Sequence, residues 1–99
     1  MNSKISGSSV VVAAREQVSC DLAGEVAILD VKSGIYYGLN AVGARIWNLV
    51  QEPRTVDEIY VTILEEYDVE ADGCRRDIVA LLQELLAKEL VEIRNGTAP

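Results

Sequence analysis

Residues 24–40 read GEVAILDVKSGIYYGLN, a strand, a turn and a second strand. Glu25 to Val31 alternates well enough to be the best strand core of the chain, and Lys32-Ser33-Gly34 is turn chemistry. Ile35 to Leu39 then follows as the hairpin partner. Within that partner Tyr36 and Tyr37 are adjacent, so a pleated strand sends them to opposite faces. Tyr37 shares its face with Ile35 and Leu39, and Tyr36 shares the other with Gly38. Which set meets the core is a matter of register, because a slip of one residue inverts the assignment.

Outward from the hairpin, Val10 to Ala14 and Val18 to Leu22 add short β-type runs, with Ala23-Gly24 as a turn. Asn40 is a helix cap for Ala41 to Val50, which the Gln51–Arg54 segment with Pro53 breaks. Thr55 and Glu58 stand at capping-box spacing. Behind them Val56, Ile59, Tyr60, Ile63, Leu64 and Tyr67 trace an amphipathic helix. A last helix is expected over about Ala71 to Lys88, then a short strand over Leu90 to Arg94. The order predicts an α+β domain, winged helix-turn-helix-like, with a small antiparallel three-stranded sheet followed by three helices. Residues 10–94 form that domain. Residues 1–9 and the tail 95–99 are expected to be disordered.

The totals narrow the chemistry. The 99 residues suit one domain with a real but modest core, built without phenylalanine. Nine basic and sixteen acidic residues give a net charge of −7. No basic stripe exists to neutralise phosphates, which argues against a nucleic-acid partner and leaves room for a protein or peptide. The chain has no histidine, so Ser-His and Cys-His catalysis and His-containing zinc sites are excluded. Cys20 and Cys74 lack C-x-x-C spacing and read as small buried hydrophobes, with a disulfide left open. No enzyme, cofactor or metal is expected. MNSKISGSS has no apolar signal segment and no run is long enough to span a membrane, so a cytoplasmic, membrane-free setting is the default.

Two features suggest binding. On the last helix Cys74, Ile78, Leu81 and Leu85 form one apolar stripe, and Arg75, Val79, Leu82 and Leu86 form a second about 100° away. Either the helix is buried on a wide face, or the second stripe is a groove wall with Arg75 near its rim. In addition, Ile35–Leu39 pairs on one side only if Glu25–Val31 is its sole neighbour. Its other edge then carries free backbone groups, with no proline or lysine to block it, and Gly38 allows close backbone approach. An open edge beside an apolar helix is the arrangement used in β-strand addition.

The motif G-x-Y-Y-x-L-N (Gly34, Tyr36, Tyr37, Leu39, Asn40), then G-x-x-I-W (Gly43, Ile46, Trp47), then D-I-V-x-L-L-x-x-L (Asp77 to Leu85) resembles the PqqD-like RiPP recognition elements. The resemblance spans roughly residues 10–94. Within that family the chain looks like the stand-alone leader-binding proteins of split lasso-peptide systems. The resemblance implies a non-catalytic domain that takes the leader of a ribosomally made precursor as an antiparallel strand on residues 35–39, packed against the last helix. It implies peptide contacts from Ile35, Tyr36, Tyr37, Gly38, Leu39, Arg75, Arg76, Val79, Leu82 and Leu86. Delivery would be to a leader peptidase and a cyclase, from a monomer or an edge-paired dimer. The alternatives are a winged-helix interaction module with another client, or a peptide chaperone in quinone cofactor assembly.

Overall fold

A computed structural model describes residues 5–15 and 17–94. In chain order the elements are β1 (Val10–Ala13), β2 (Gln17–Leu22), β3 (Glu25–Asp30), β4 (Ile35–Leu39), α1 (Ala41–Leu49), β5 (Arg54–Thr55), α2 (Val56–Glu66), α3 (Ala71–Ala87) and β6 (Val91–Arg94). The expected winged helix-turn-helix-like architecture is present: a three-stranded antiparallel sheet, β2-β3-β4, followed by three helices. Both of its connections are tight hairpins. Ala23 and Gly24 both have positive φ, +54° and +90°, as a two-residue primed turn requires. Gly34 closes the longer turn at φ +73°, its N–H donating to the Asp30 carbonyl.

Strand β1 does not extend that sheet. It lies between β5 and β6 in a second antiparallel sheet of order β5-β1-β6. Val11 and Val12 point to opposite faces and both are buried, so β1 is enclosed on both faces and closes the far end of the core. A strand so buried needs neighbours on both edges for its backbone groups, and the chain supplies them from distant segments.

The segment 5–9, expected to be disordered, is instead bound down. Ile5 packs against the core, and Ser9 is buried. The carbonyls of Ser9 and Gly7 accept from the Val56 and Asp57 amides at the start of α2, each at 3.0 Å. Thr55 Oγ1 accepts from the Glu58 amide at 3.1 Å, and the Glu58 carboxylate accepts from the Thr55 amide at 2.9 Å. The capping box and the N-terminal segment thus satisfy amides that a helix start would leave unpaired. The expected disorder of residues 1–4 and of the tail 95–99 lies outside the described residues.

Helix α3 ends in a Schellman turn. Glu89 adopts φ +62°, Glu89 N–H donates to the Leu86 carbonyl and Leu90 N–H to the Leu85 carbonyl. This turn drops Leu90 into the core and aims β6 back along β1. The core itself is aliphatic around Trp47, with Ile28, Ile46, Ile59, Ile63 and Ile78 as its largest members. Helices α1 and α2 are also tied by Arg45, whose guanidinium donates twice to Glu66, at 2.7 and 2.8 Å.

Two outcomes follow for stability. Replacing Thr55 with Ala should remove about 1 kcal/mol and lower the melting temperature by about 4–8 °C in a domain of this size, as read by circular dichroism. The hydrogen bonds from Arg45 hold the Glu66 carboxyl below the usual carboxylate range and raise the arginine. A depressed acid stabilises the fold above its ordinary value and loses that contribution as pH falls through the lowered value. The pair is half-exposed and therefore weak. Urea midpoints of wild type and Glu66→Gln should accordingly differ slightly at neutral pH and converge in acid.

Candidate functional site: an open strand edge above an apolar groove

β4 bonds to β3 with Val26 opposite Leu39, Ile28 opposite Tyr37 and Asp30 opposite Ile35. No strand lies on its other side among the described residues. Register can be followed through the sheet. The two-residue turn makes Leu22 and Glu25 a hydrogen-bonded pair, so Glu25, Ala27 and Leu29 bond toward β2 and Val26, Ile28 and Asp30 bond toward β4. The amides and carbonyls of Ile35, Tyr37 and Leu39 are therefore engaged. Those of Tyr36 and Gly38 face outward from the edge: two donors and two acceptors.

The side chains resolve the tyrosine question. Tyr37 and Leu39 turn inward and pack against the core. Tyr36 turns to the other face and is 69% exposed. Gly38 has no neighbour within 4 Å of where a Cβ would stand, so the space beside it is open.

Between β4 and α3 lies a groove of about 880 Å³. The β4 wall is Tyr36, Tyr37, Gly38 and Leu39, and the floor is Val42, Gly43 and Ile46 of α1 with Ile63 of α2. The α3 wall is Gly73, Cys74, Asp77, Ile78, Leu81, Glu84, Leu85 and Lys88. Ile46, Ile63, Ile78 and Leu85 also belong to the core, so the groove is a cleft opening directly onto it. Glu70, Asp77 and Glu84 line it at seven-residue intervals, two helical turns apart. At its lower end Lys88 lies 5.3 Å from the centre of the Tyr37 ring and 3.5 Å from the Glu84 carboxylate.

The groove uses a different side of α3 from the one the sequence suggested. Leu82 is fully buried, in the middle of a wide face with Cys74, Ile78 and Leu85. Leu81, expected in the core, lines the groove and is only partly buried. Val79 and Arg76 flank a shallow depression with Ala80 and Gln83, apart from β4. Leu86 borders another, beside Ala14 and Asp30. Arg75 bonds Asp57 of α2 at 3.1 Å and lies over the Tyr60 ring at 5.1 Å. Ile35 stays exposed at the start of β4 and does not line the groove. Asp77, Leu81, Glu84 and Lys88 were missed as groove residues, although their near-heptad spacing marks one edge of the helix.

The cysteines divide. Both are free thiols, but only Cys74 is buried, while Cys20 is exposed on β2, contrary to expectation. Cys20 is exposed because no helix covers β2, whose residues beyond Gln17 are all exposed. Burial pushes the Cys74 thiol above its ordinary value, and the nearby Asp77 charge adds to this. Among the described residues no group of three metal-ligating side chains converges, and no helix is long and apolar enough to cross a membrane.

Residues 25–91 match the family model described as coenzyme PQQ synthesis protein D (PqqD). The chain belongs to the PqqD family. It is similar to a solved structure of TbiB1 in complex with the TbiA(beta) leader peptide, with 38% identity and a TM-score of 0.76. That match covers 89% of this chain and 99% of TbiB1. A second solved structure, lasso peptide synthetase B1 complexed with the leader peptide, has the same fold, with a TM-score of 0.73 at 24% identity. It covers 83% of this chain and 96% of that one. No curated protein matches the chain.

Thiol chemistry separates the groove wall from the open sheet face. Iodoacetamide at mildly alkaline pH should label Cys20 rapidly and Cys74 only after denaturation, as read by intact and peptide mass spectrometry. Equal rates on both thiols in the folded protein would contradict the burial of the groove wall.

Proposed function

We propose that this protein is a non-catalytic recognition element that captures the leader of a ribosomally made precursor peptide, of the lasso class, on β4. The observation that carries the reading is the juxtaposition of the unpaired Tyr36 and Gly38 backbone with an apolar groove. The similarity to leader-bound TbiB1 over most of both chains supports it. An incoming antiparallel strand would form up to four hydrogen bonds with Tyr36 and Gly38. Alternate side chains of that strand, those opposite Tyr37 and Leu39, would enter the groove against Ile78, Leu81 and Leu85. The hydrogen bonds are blind to sequence, so selectivity rests on the fit of these alternate side chains.

The bound leader would then be presented to a leader peptidase and a ring-closing cyclase. Capture suits this chain better than chemistry, because it has no histidine to serve as a general base. We place the step in the cytoplasm, where both free thiols would stay reduced.

The test is fluorescence anisotropy of a labelled leader from the cognate precursor. Gly38→Pro removes an edge donor without touching a bond to β3, so the domain should fold and bind at least about tenfold more weakly. Leu81→Glu places a charge in the apolar groove and should cost at least as much. Gln83→Glu, in the depression on the flank of α3 away from β4, should leave affinity unchanged. Leu82→Glu is unsuited to the purpose, because a charge at a fully buried core position unfolds the domain. Absence of saturable binding by folded wild type would refute the proposal, and loss on Gln83→Glu alone would move the site off the groove.

A further inference from the structure

The β2-β3-β4 sheet has a second open edge, and nothing in the leader reading uses it. Among the described residues β2 bonds only to β3, with Leu22 opposite Glu25, Cys20 opposite Ala27 and Val18 opposite Leu29. These three residues spend their backbone groups on β3, so the amides and carbonyls of Gln17, Ser19 and Asp21 point away from the sheet. The strand is six residues long and holds no proline, lysine or arginine. Its outer face is apolar where solvent would ordinarily meet polar groups: Val18 is 60% exposed and Leu22 53%, with Cys20 exposed between them. Its inner face carries Ser19 and Asp21, also exposed.

We infer that β2 pairs with β2 of a second copy of this chain, antiparallel, about a twofold axis at Cys20. Registers centred on Val18, Ser19, Cys20 or Asp21 keep outer side chains against outer side chains, and the first leaves Cys20 and Leu22 beyond the end of the partner's strand. Centring on Asp21 sets two carboxylates directly opposite each other, which is unfavourable. Centring on Ser19 leaves Leu22 beyond the end of the partner's strand. Centring on Cys20 puts Val18 opposite Leu22 twice and Ser19 opposite Asp21 twice, with no like charges facing. In this register Ser19 and Asp21 form the hydrogen-bonded pairs, giving four backbone bonds from groups that are otherwise unpaired. The sequence of β2 is thus complementary to itself in one register, which is what an isologous contact needs.

The product is a continuous six-stranded sheet, β4-β3-β2-β2-β3-β4. Both β4 edges stay at its outer ends, so each dimer holds two open grooves. An edge contact of this size is small, and the dimer forms as a concentration-dependent equilibrium. The two Cys20 residues occupy a non-hydrogen-bonded pair, whose Cα atoms stand about 4.5 Å apart, within disulfide reach.

Light scattering and sedimentation over a concentration series test this without any leader. The mass should rise from 10.8 kDa toward twice that value. Ser19→Lys places lysine opposite Asp21 at both symmetric positions and should tighten the dimer by about fivefold. Ser19→Asp faces two carboxylate pairs across the seam and should weaken it by a similar factor. Position 19 is exposed, so both variants keep the fold, which circular dichroism verifies. Diamide, a thiol oxidant, should trap a Cys20–Cys20 disulfide in wild type faster than in Ser19→Asp. A monomer at high micromolar concentration, a dimer indifferent to the sign of the charge at position 19, or trapping equally fast in both proteins would each overturn the inference.

Discussion

Among the described residues β4 is hydrogen-bonded on one side only, and the groove depends on that half-paired state. α1 begins two residues after Leu39, capped by the Asn40 side chain, which accepts from the Gly43 amide at 2.9 Å. The chain therefore leaves the sheet immediately. The strands that follow, β5 and β6, join β1 instead of returning to β4. The polar groups of Tyr36 and Gly38 are left facing water beside a cleft that reaches the core. A domain with little hydrophobic margin tolerates such an edge because these groups stay solvated.

The helix opposite must be rigid for the cleft to have a shape. α3 is fixed by a wide buried face rather than a narrow stripe, with Cys74, Ile78, Leu82 and Leu85 all inside. The Schellman turn after it fastens the same end through Leu90. Lys88 stands at this fastened end, over the Tyr37 ring, so the lower limit of the groove is set by both walls at once. At the other end of the domain, the Arg75 contacts with Asp57 and Tyr60 hold α3 against α2.

Much of this was legible in the residues. The hairpin, the three helices and the Thr55 capping box rest on local chemistry, and local chemistry is what a sequence displays. The open edge was also legible, because blocking residues are absent by inspection. The partner of β1 was not, since pairing between Val10–Ala13 and Val91–Arg94 depends on contacts across nearly the whole chain. The side of α3 that faces β4 was not either. Both stripes are apolar, so periodicity gives the width of the buried face but not its bearing, and Leu81 and Leu82 exchange roles on a rotation of 100°. The order in residues 5–9 was hidden because polar composition conceals what its carbonyls can accept.

Pairing of β1 with β6 sets Val10 directly opposite Arg94. The first and last strands of the described domain therefore lie side by side, about one strand spacing apart, with residues 5–9 leading into β1 along the start of α2. Neither β1 nor β6 contributes to the β4–α3 groove. A unit whose first and last strands adjoin, with its groove at a distance, is portable: it can be joined to another protein through either of these strands with the β4–α3 groove undisturbed.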